Sequence, residues 1–148
     1  MSTIRFIGVA GCALALSVAI VRADDKEKKT PIDASKLPPA ATQAGVTYAK
    51  DIQPMFDKSC YLCHGPKAKK PQGAGGLRLD TLAAALKGGE DGVVIVPGDS
   101  AKSSLVAAVA HVGDEDDFMP PPKNKAHLAP WTKEQVGLVR AWIDQGAK

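Results

Sequence analysis

The sequence predicts a small all-α domain, and three features of the chain lead to this class. Four segments carry apolar residues at the spacing of an amphipathic helix. Gly- and Pro-rich loops separate them, and the longest is GDEDDFMPPPKNKAHLAP, residues 113–130. One run alone, VVIV at residues 93–96, has the composition of a strand. Helices joined by long loops are therefore expected, and no sheet is predicted.

The first predicted helix covers residues 51–64, DIQPMFDKSCYLCH. Asp51 is its expected N-cap, and Pro54 stands in the first turn, where a missing N–H leaves no hydrogen bond unmade. The helical spacing of the apolar residues places Cys60 and Cys63 on the buried face.

Three further helices are predicted over residues 80–89, 99–111 and 132–146. The second helix is expected to open at Asp80. The last begins with T-x-x-Q at residue 132, the pattern of a capping box. About four helices thus account for the ordered part of the chain.

The chain before residue 46 is predicted to lie outside the folded domain. Residues 1–23 combine a basic residue near the start, an apolar run and a small residue before a charged segment, which is typical of a cleaved signal peptide. A retained anchor helix and a lipoprotein signal at Cys12 are the alternatives, but the run is short for a membrane span and Cys12 lies in its middle. Residues 24–45 predict a flexible tether, which leaves residues 46–148 for the domain.

The charge of the chain gives no support for nucleic-acid binding. Cleavage after residue 23 removes two of the 19 basic residues and leaves 17 against 16 acidic ones. A nucleic-acid-binding domain would carry a basic excess on one face. Nucleic acid is therefore not expected among the partners of this protein.

The most informative stretch is KSCYLCHGPK, in which Cys60, Cys63 and His64 form a Cys-x-x-Cys-His motif. Three chemistries use such cysteines: a redox dithiol, half of a zinc site and covalent haem attachment. A thioredoxin-like dithiol stands at the start of a helix that follows a strand, whereas this pair ends a predicted helix. A structural zinc site needs a fourth ligand, and the other two histidines stand apart.

Covalent haem attachment uses all three residues. Cysteines three positions apart lie on one helical face, where they can form thioethers with the two vinyl groups of one haem. His64 then supplies its imidazole to the iron as the proximal ligand. Export agrees with this interpretation, because c-type haem is attached outside the bacterial cytoplasm. The motif thus predicts one covalently bound haem c with its iron.

Five blocks of the sequence resemble the planctomycete-type cytochrome c domain, a variant of the class I cytochrome c fold. The blocks are YAKDIQPMFDKSCYLCHGP, GGLRLDTLAAALKGG, IVPGDSAKSSL, DEDDFMPP and VRAWIDQGA, and they extend from about Tyr48 to Ala147. The resemblance implies a small class I fold with its helices packed around a single haem. Leu77 and Leu79 of the second block are interpreted as wall of the haem pocket or as general core.

The ligand on the other side of the iron has three main candidates, Met119, His111 and His127; Met55 precedes the attachment site on the same helix and is less favoured. Met119 lies in FMPPP, where consecutive prolines stiffen the backbone and let a loop present one side chain at little entropic cost. His111 ends a predicted helix, and His127 lies in a loop. The resemblance also implies that the methionine of this block is the distal ligand.

The predicted function is that of an exported bacterial c-type cytochrome, periplasmic or secreted, that carries single electrons between a donor and an acceptor protein. The sequence has no catalytic triad, nucleotide-binding loop or second metal cluster, so an electron carrier is favoured over an enzyme. The alternative is a haem-based sensor or a peroxidase-like protein with a labile distal ligand. No stable membrane span is expected once the signal is cleaved.

Two charged clusters flank the predicted haem site. Lys67, Lys69 and Lys70 follow His64 and are expected near the proximal side, while the acidic run at residues 114–117 directly precedes the distal methionine. Exposed clusters of this kind act on the rate at which partners meet, or simply keep loops solvated.

Overall fold

The computed structural model describes residues 31–68 and 74–148. The predicted signal peptide, the first part of the predicted tether, and Lys69 and Lys70 lie outside these residues. Within the described part the chain is helical and forms no strand, apart from an isolated bridge between Gly89 and Gly92. The predicted all-α class is confirmed.

The described chain contains five α-helices, which are α1 (Gln53–Ser59), α2 (Tyr61–His64), α3 (Leu82–Lys87), α4 (Ser104–Ala110) and α5 (Lys133–Asp144). A π-helix (Tyr48–Ile52) leads into α1, and 3-10 helices occupy Ala34–Lys36, Ala74–Gly76, Ser100–Lys102 and Glu115–Asp117. Only α5, with 12 residues, is longer than about two turns. No helix in these ranges is long and apolar enough to cross a membrane.

The first predicted helix is divided in the structure. Cys60, with φ −120° and ψ −30°, ends α1 and stands before α2. Asp51 is not the N-cap of α1, because the π-helix that leads into α1 begins at Tyr48 and contains Asp51. Its carboxylate instead accepts the backbone N–H of Thr47 at 2.9 Å. The break leaves Cys63 on the separate single turn of α2.

The start of α3 also differs from the prediction. Thr81 is its N-cap and accepts the N–H of Ala84 on its hydroxyl at 3.2 Å. Asp80 forms an ion pair with Arg78 at 2.7 Å instead. The capping box of α5 is confirmed. The Thr132 hydroxyl accepts the backbone N–H of Gln135, and the Gln135 side chain accepts the backbone N–H of Thr132.

The core is centred on α5. The ring of Trp142 lies 5.9 Å from that of Tyr48 and 6.5 Å from that of Phe56, between ring centroids. Aromatic pairs at these separations add to the stabilisation from buried area. They join the last helix to the π-helix and α1. The buried residues of α5 are Val136, Gly137, Val139, Ala141, Trp142 and Ile143.

Part of the predicted tether packs on α5. Ala41 donates its N–H to the carbonyl of Gly137 at 2.9 Å. A Cβ atom added to Gly137 would lie 2.8 Å from the carbonyl oxygen of Pro39, so the close approach depends on the glycine. Arg140 donates to the carbonyl of Pro38, and Leu37 is buried. The folded unit therefore includes residues before the predicted start at residue 46.

Candidate functional site

The predicted site residues meet at one cavity. Cys60, Cys63 and His64 line it from one side, and Met119 lines it from the loop after α4. The cavity has a volume of about 220 Å³. Its other lining residues, mostly apolar, are Ser59, Leu62, Val109, Pro120, Pro121, Asn124, Lys125, Ala126 and Leu128.

His64 is held in a defined orientation. Its Nδ1 lies 3.1 Å from the carbonyl oxygen of Leu77. A carbonyl oxygen only accepts, so Nδ1 carries the proton and donates it. Burial lowers the pKa of His64, and the hydrogen bond to Leu77 opposes this shift only in part. The neutral ring therefore keeps the lone pair of Nε2 free for a metal ion.

The segment that holds His64 is itself fixed by backbone hydrogen bonds. Leu79 donates its N–H to the carbonyl of His64 at 2.8 Å. The hydroxyl of Tyr48 donates to the carbonyl of Leu79 at 2.7 Å. Leu79 is buried in the core, and Leu77 is partly buried against it. Leu77 thus orients His64 through its backbone carbonyl. The leucine side chain gives no sign of this role in the sequence.

The two cysteines are free thiols with different surroundings. Cys60 is half-buried and Cys63 is exposed. Burial, and then the neighbouring Cys63, raise the pKa of the Cys60 thiol to about 12. A redox dithiol depends on a cysteine whose pKa is lowered, because the thiolate is the nucleophile. This environment disfavours the dithiol interpretation.

The described residues also give little support for a zinc site. No group of three or more His, Cys, Asp or Glu side chains in ranges 31–68 and 74–148 is arranged to hold a metal ion. A structural zinc site would need four such ligands in tetrahedral arrangement. The imidazole of His64 and the thioether of Met119 could each bind a haem iron, whose other ligands are the porphyrin nitrogens, and the two thiols could attach the haem covalently.

Met119 is held at its backbone by α4. Its N–H donates to the carbonyl of Ala108 at 3.0 Å. Pro120, the next residue, is buried. The partly buried Met119 side chain therefore lines the cavity from a backbone that is fixed on α4.

The other predicted candidates lie elsewhere. His111 ends α4 with a left-handed φ of 54°, and its ring stacks on Phe118 with 4.6 Å between centroids. His127 is exposed, and Met55 packs against the core. None of these three belongs to the residues that line the cavity, whereas Met119 does.

Residues 60–123 match the family model described as Planctomycete cytochrome C. The matched segment contains both the Cys-x-x-Cys-His motif and Met119, and it confirms the family resemblance that the sequence predicts. A cytochrome c domain implies haem c as its cofactor. No curated protein and no solved structure matches the chain.

Proposed function

We propose that the protein is an exported monohaem c-type cytochrome that carries single electrons between two redox proteins. Haem would be attached through Cys60 and Cys63, with iron between His64 and Met119. One observation carries this proposal: these four side chains, from two separate segments, line the same cavity. The apolar character of the wall further supports a flat, apolar cofactor.

The bound haem would supply an iron that changes between Fe(III) and Fe(II). The residues of this chain would set its properties. The hydrogen bond from His64 to Leu77 fixes the ring and increases its basicity toward a metal. The thioether of Met119 favours Fe(II) and raises the reduction potential. The apolar cavity wall would limit contact between the haem and water, which would also raise the reduction potential.

Export to the periplasm or beyond the cell is part of the proposal. Its support is the signal-like N-terminus and the cysteine motif, since haem is attached to such motifs outside the cytoplasm. A donor and an acceptor protein would then exchange electrons with it there. The presence of Met119 on the cavity wall favours a carrier over a sensor or peroxidase-like protein, because those need an open distal position.

Covalent haem is tested by expression with a haem-maturation system, followed by denaturing electrophoresis and haem staining. The wild-type band is expected to stain, because thioether bonds survive denaturation. The Cys60→Ala/Cys63→Ala variant is expected to lose the stain, while Met119→Ala, which keeps both cysteines, retains it. A colourless wild-type protein that binds zinc would contradict the proposal.

Distal ligation is tested with Met119→Ala, and Met55→Ala is the matched control. Loss of the Met119 thioether should open the site, lower the midpoint potential and let cyanide or carbon monoxide bind readily. The control removes a methionine of the same size that packs against the core. Spectroelectrochemistry and ligand titration measure both effects. Equal behaviour of the two variants would refute Met119 as the ligand.

A further inference from the structure

The loop after Met119 lines the cavity at several positions. Asn124, Lys125, Ala126 and Leu128 all line it. Most of this loop is exposed, and only Asn124 and Leu128 of residues 121–128 are half-buried. Burial of apolar surface therefore does little to fix its conformation. Something else must keep the wall in place.

The side chain of Asn124 supplies that fixation. Its carboxamide pairs with the backbone of Leu128 at two points: Oδ1 accepts the Leu128 N–H at 2.7 Å, and Nδ2 donates to the Leu128 carbonyl at 2.9 Å. Nδ2 also donates to the carbonyl of Pro121 at 2.9 Å. One amide thus joins both ends of the loop across its exposed middle.

The backbone of Asn124 adds to the same arrangement. Its N–H donates to the carbonyl of Pro121 at 3.1 Å, and its carbonyl accepts the N–H of His127 at 3.2 Å. Pro121 is therefore bonded twice to Asn124, and it is separated from Met119 by one proline. The Met119 N–H is in turn bonded to α4. Hydrogen bonds thus fix the backbone on both sides of Pro120, at Pro121 and at Met119.

We propose that Asn124 is a positioning residue that keeps this loop closed over the haem and so holds Met119 on the iron. The inference rests on the proposed function, because it assigns Asn124 a role toward the same haem. An asparagine suits this role, since a carboxamide has both the acceptor for an N–H and the donors for two carbonyls. An aspartate has the acceptor alone and would face those carbonyls with a negative charge.

The test uses the haem-loaded full chain with Asn124→Ala, the isosteric Asn124→Asp, and Lys123→Ala as matched control. Lys123 is exposed in the same loop and does not line the cavity. Loss of the three side-chain hydrogen bonds in Asn124→Ala should raise the open population by roughly a hundredfold. An external ligand of the ferric iron binds the open form, so its apparent affinity should rise by the same factor.

Cyanide titration of the ferric proteins measures this factor, and the absorption band of the sulfur-ligated ferric haem reports Met119 directly. Asn124→Ala should bind cyanide roughly a hundredfold more tightly, and Asn124→Asp, which keeps one of the three bonds, roughly tenfold or more. Both variants should show a weaker sulfur band. Lys123→Ala should match the wild type. Cyanide affinities of the Asn124 variants equal to that of Lys123→Ala would overturn the inference.

A second measurement needs no variant. In the wild-type holoprotein, the amide of Leu128 should be protected from hydrogen exchange, whereas that of the exposed Lys125 should exchange freely. An unprotected Leu128 amide would overturn the inference even if a variant failed to fold. A wrong proposed function would give a different outcome. The wild-type protein would then not stain for haem, or Met119→Ala would leave the spectrum unchanged.

Discussion

His111 lies directly after α4, and its backbone has a left-handed φ of 54°. Histidine is among the residues that adopt this region more readily than most. Its ring stacks on Phe118 with 4.6 Å between centroids and 11° between planes, and its Nε2 is buried without a hydrogen-bond partner among the described residues. The His111 ring therefore contributes to stability by stacking on Phe118, the residue before Met119.

His111→Ala should keep a six-coordinate low-spin spectrum and lower the free energy of unfolding by about 1 kcal/mol, the contribution of one aromatic pair. His111→Phe keeps a ring to stack on Phe118 and removes a buried nitrogen that has no partner, so its stability should equal or exceed the wild type. Denaturant unfolding of the holoprotein measures both variants. Loss of the low-spin spectrum in His111→Ala would instead identify His111 as the distal ligand.

At the scale of elements, α5 and the segment before the π-helix form one packed unit. The carbonyl of Pro39 approaches the position that a Cβ of residue 137 would occupy, and Ala41 is hydrogen-bonded to Gly137. A glycine inside a helix usually costs stability relative to alanine. Here Gly137 leaves space for the N-terminal segment. The contact between that segment and α5 offsets the stability that a glycine costs in a helix.

The sign of the stability change in Gly137→Ala tests this contact. On an isolated helix the substitution would stabilise by about 0.5–1 kcal/mol. Against the carbonyl of Pro39 it should destabilise by about 1–3 kcal/mol, because the added methyl forces the N-terminal segment away. Thermal or denaturant unfolding gives the value.

A matched control removes the contacting segment. In a chain that begins after Ala41, Gly137→Ala should become neutral or stabilising, so that the two changes are not additive. If the stability changes of Gly137→Ala and of the truncation were additive, the N-terminal segment would not contact α5.

At the scale of the whole molecule, the charged clusters that neighbour the site residues in the sequence differ in sign. Residues 114–117 are exposed and acidic, just before Met119, while Lys67 is exposed shortly after His64. Lys69 and Lys70 continue the basic cluster in the sequence. Exposed clusters of this kind change encounter rates more than stability.

We expect the three lysines to guide a redox partner with an acidic surface. Replacement of Lys67, Lys69 and Lys70 by Gln should slow electron transfer at low salt. The difference should fade above an ionic strength of about 0.15 M, where the Debye length is about 8 Å. The midpoint potential should move little, because charge clusters of this kind are expected to act on the encounter of the partners. Stopped-flow kinetics with an acidic redox protein measure the rates, and equal rates at low salt would contradict steering.

Much of the fold could be predicted from periodicity and caps. The all-α class and the capping box of Thr132 and Gln135 were correct, because they depend on residues close together in sequence. The break at Cys60 and the cap of α3 were not predicted. Asp80 and Thr81 are both good caps by type; in the structure Asp80 pairs with Arg78, and Thr81 is the cap.

The sequence by itself determined the residues on which the proposed chemistry depends: two thiols and an imidazole at fixed spacing, and a methionine among prolines. Local spacing is enough to predict that chemistry, since the motif acts within a single helical turn. Only the tertiary structure brought Met119 to the same cavity and gave His64 its partner in the carbonyl of Leu77. Backbone groups are identical at every position, so contacts through them, such as the bond between Ala41 and Gly137, depend on how distant segments pack.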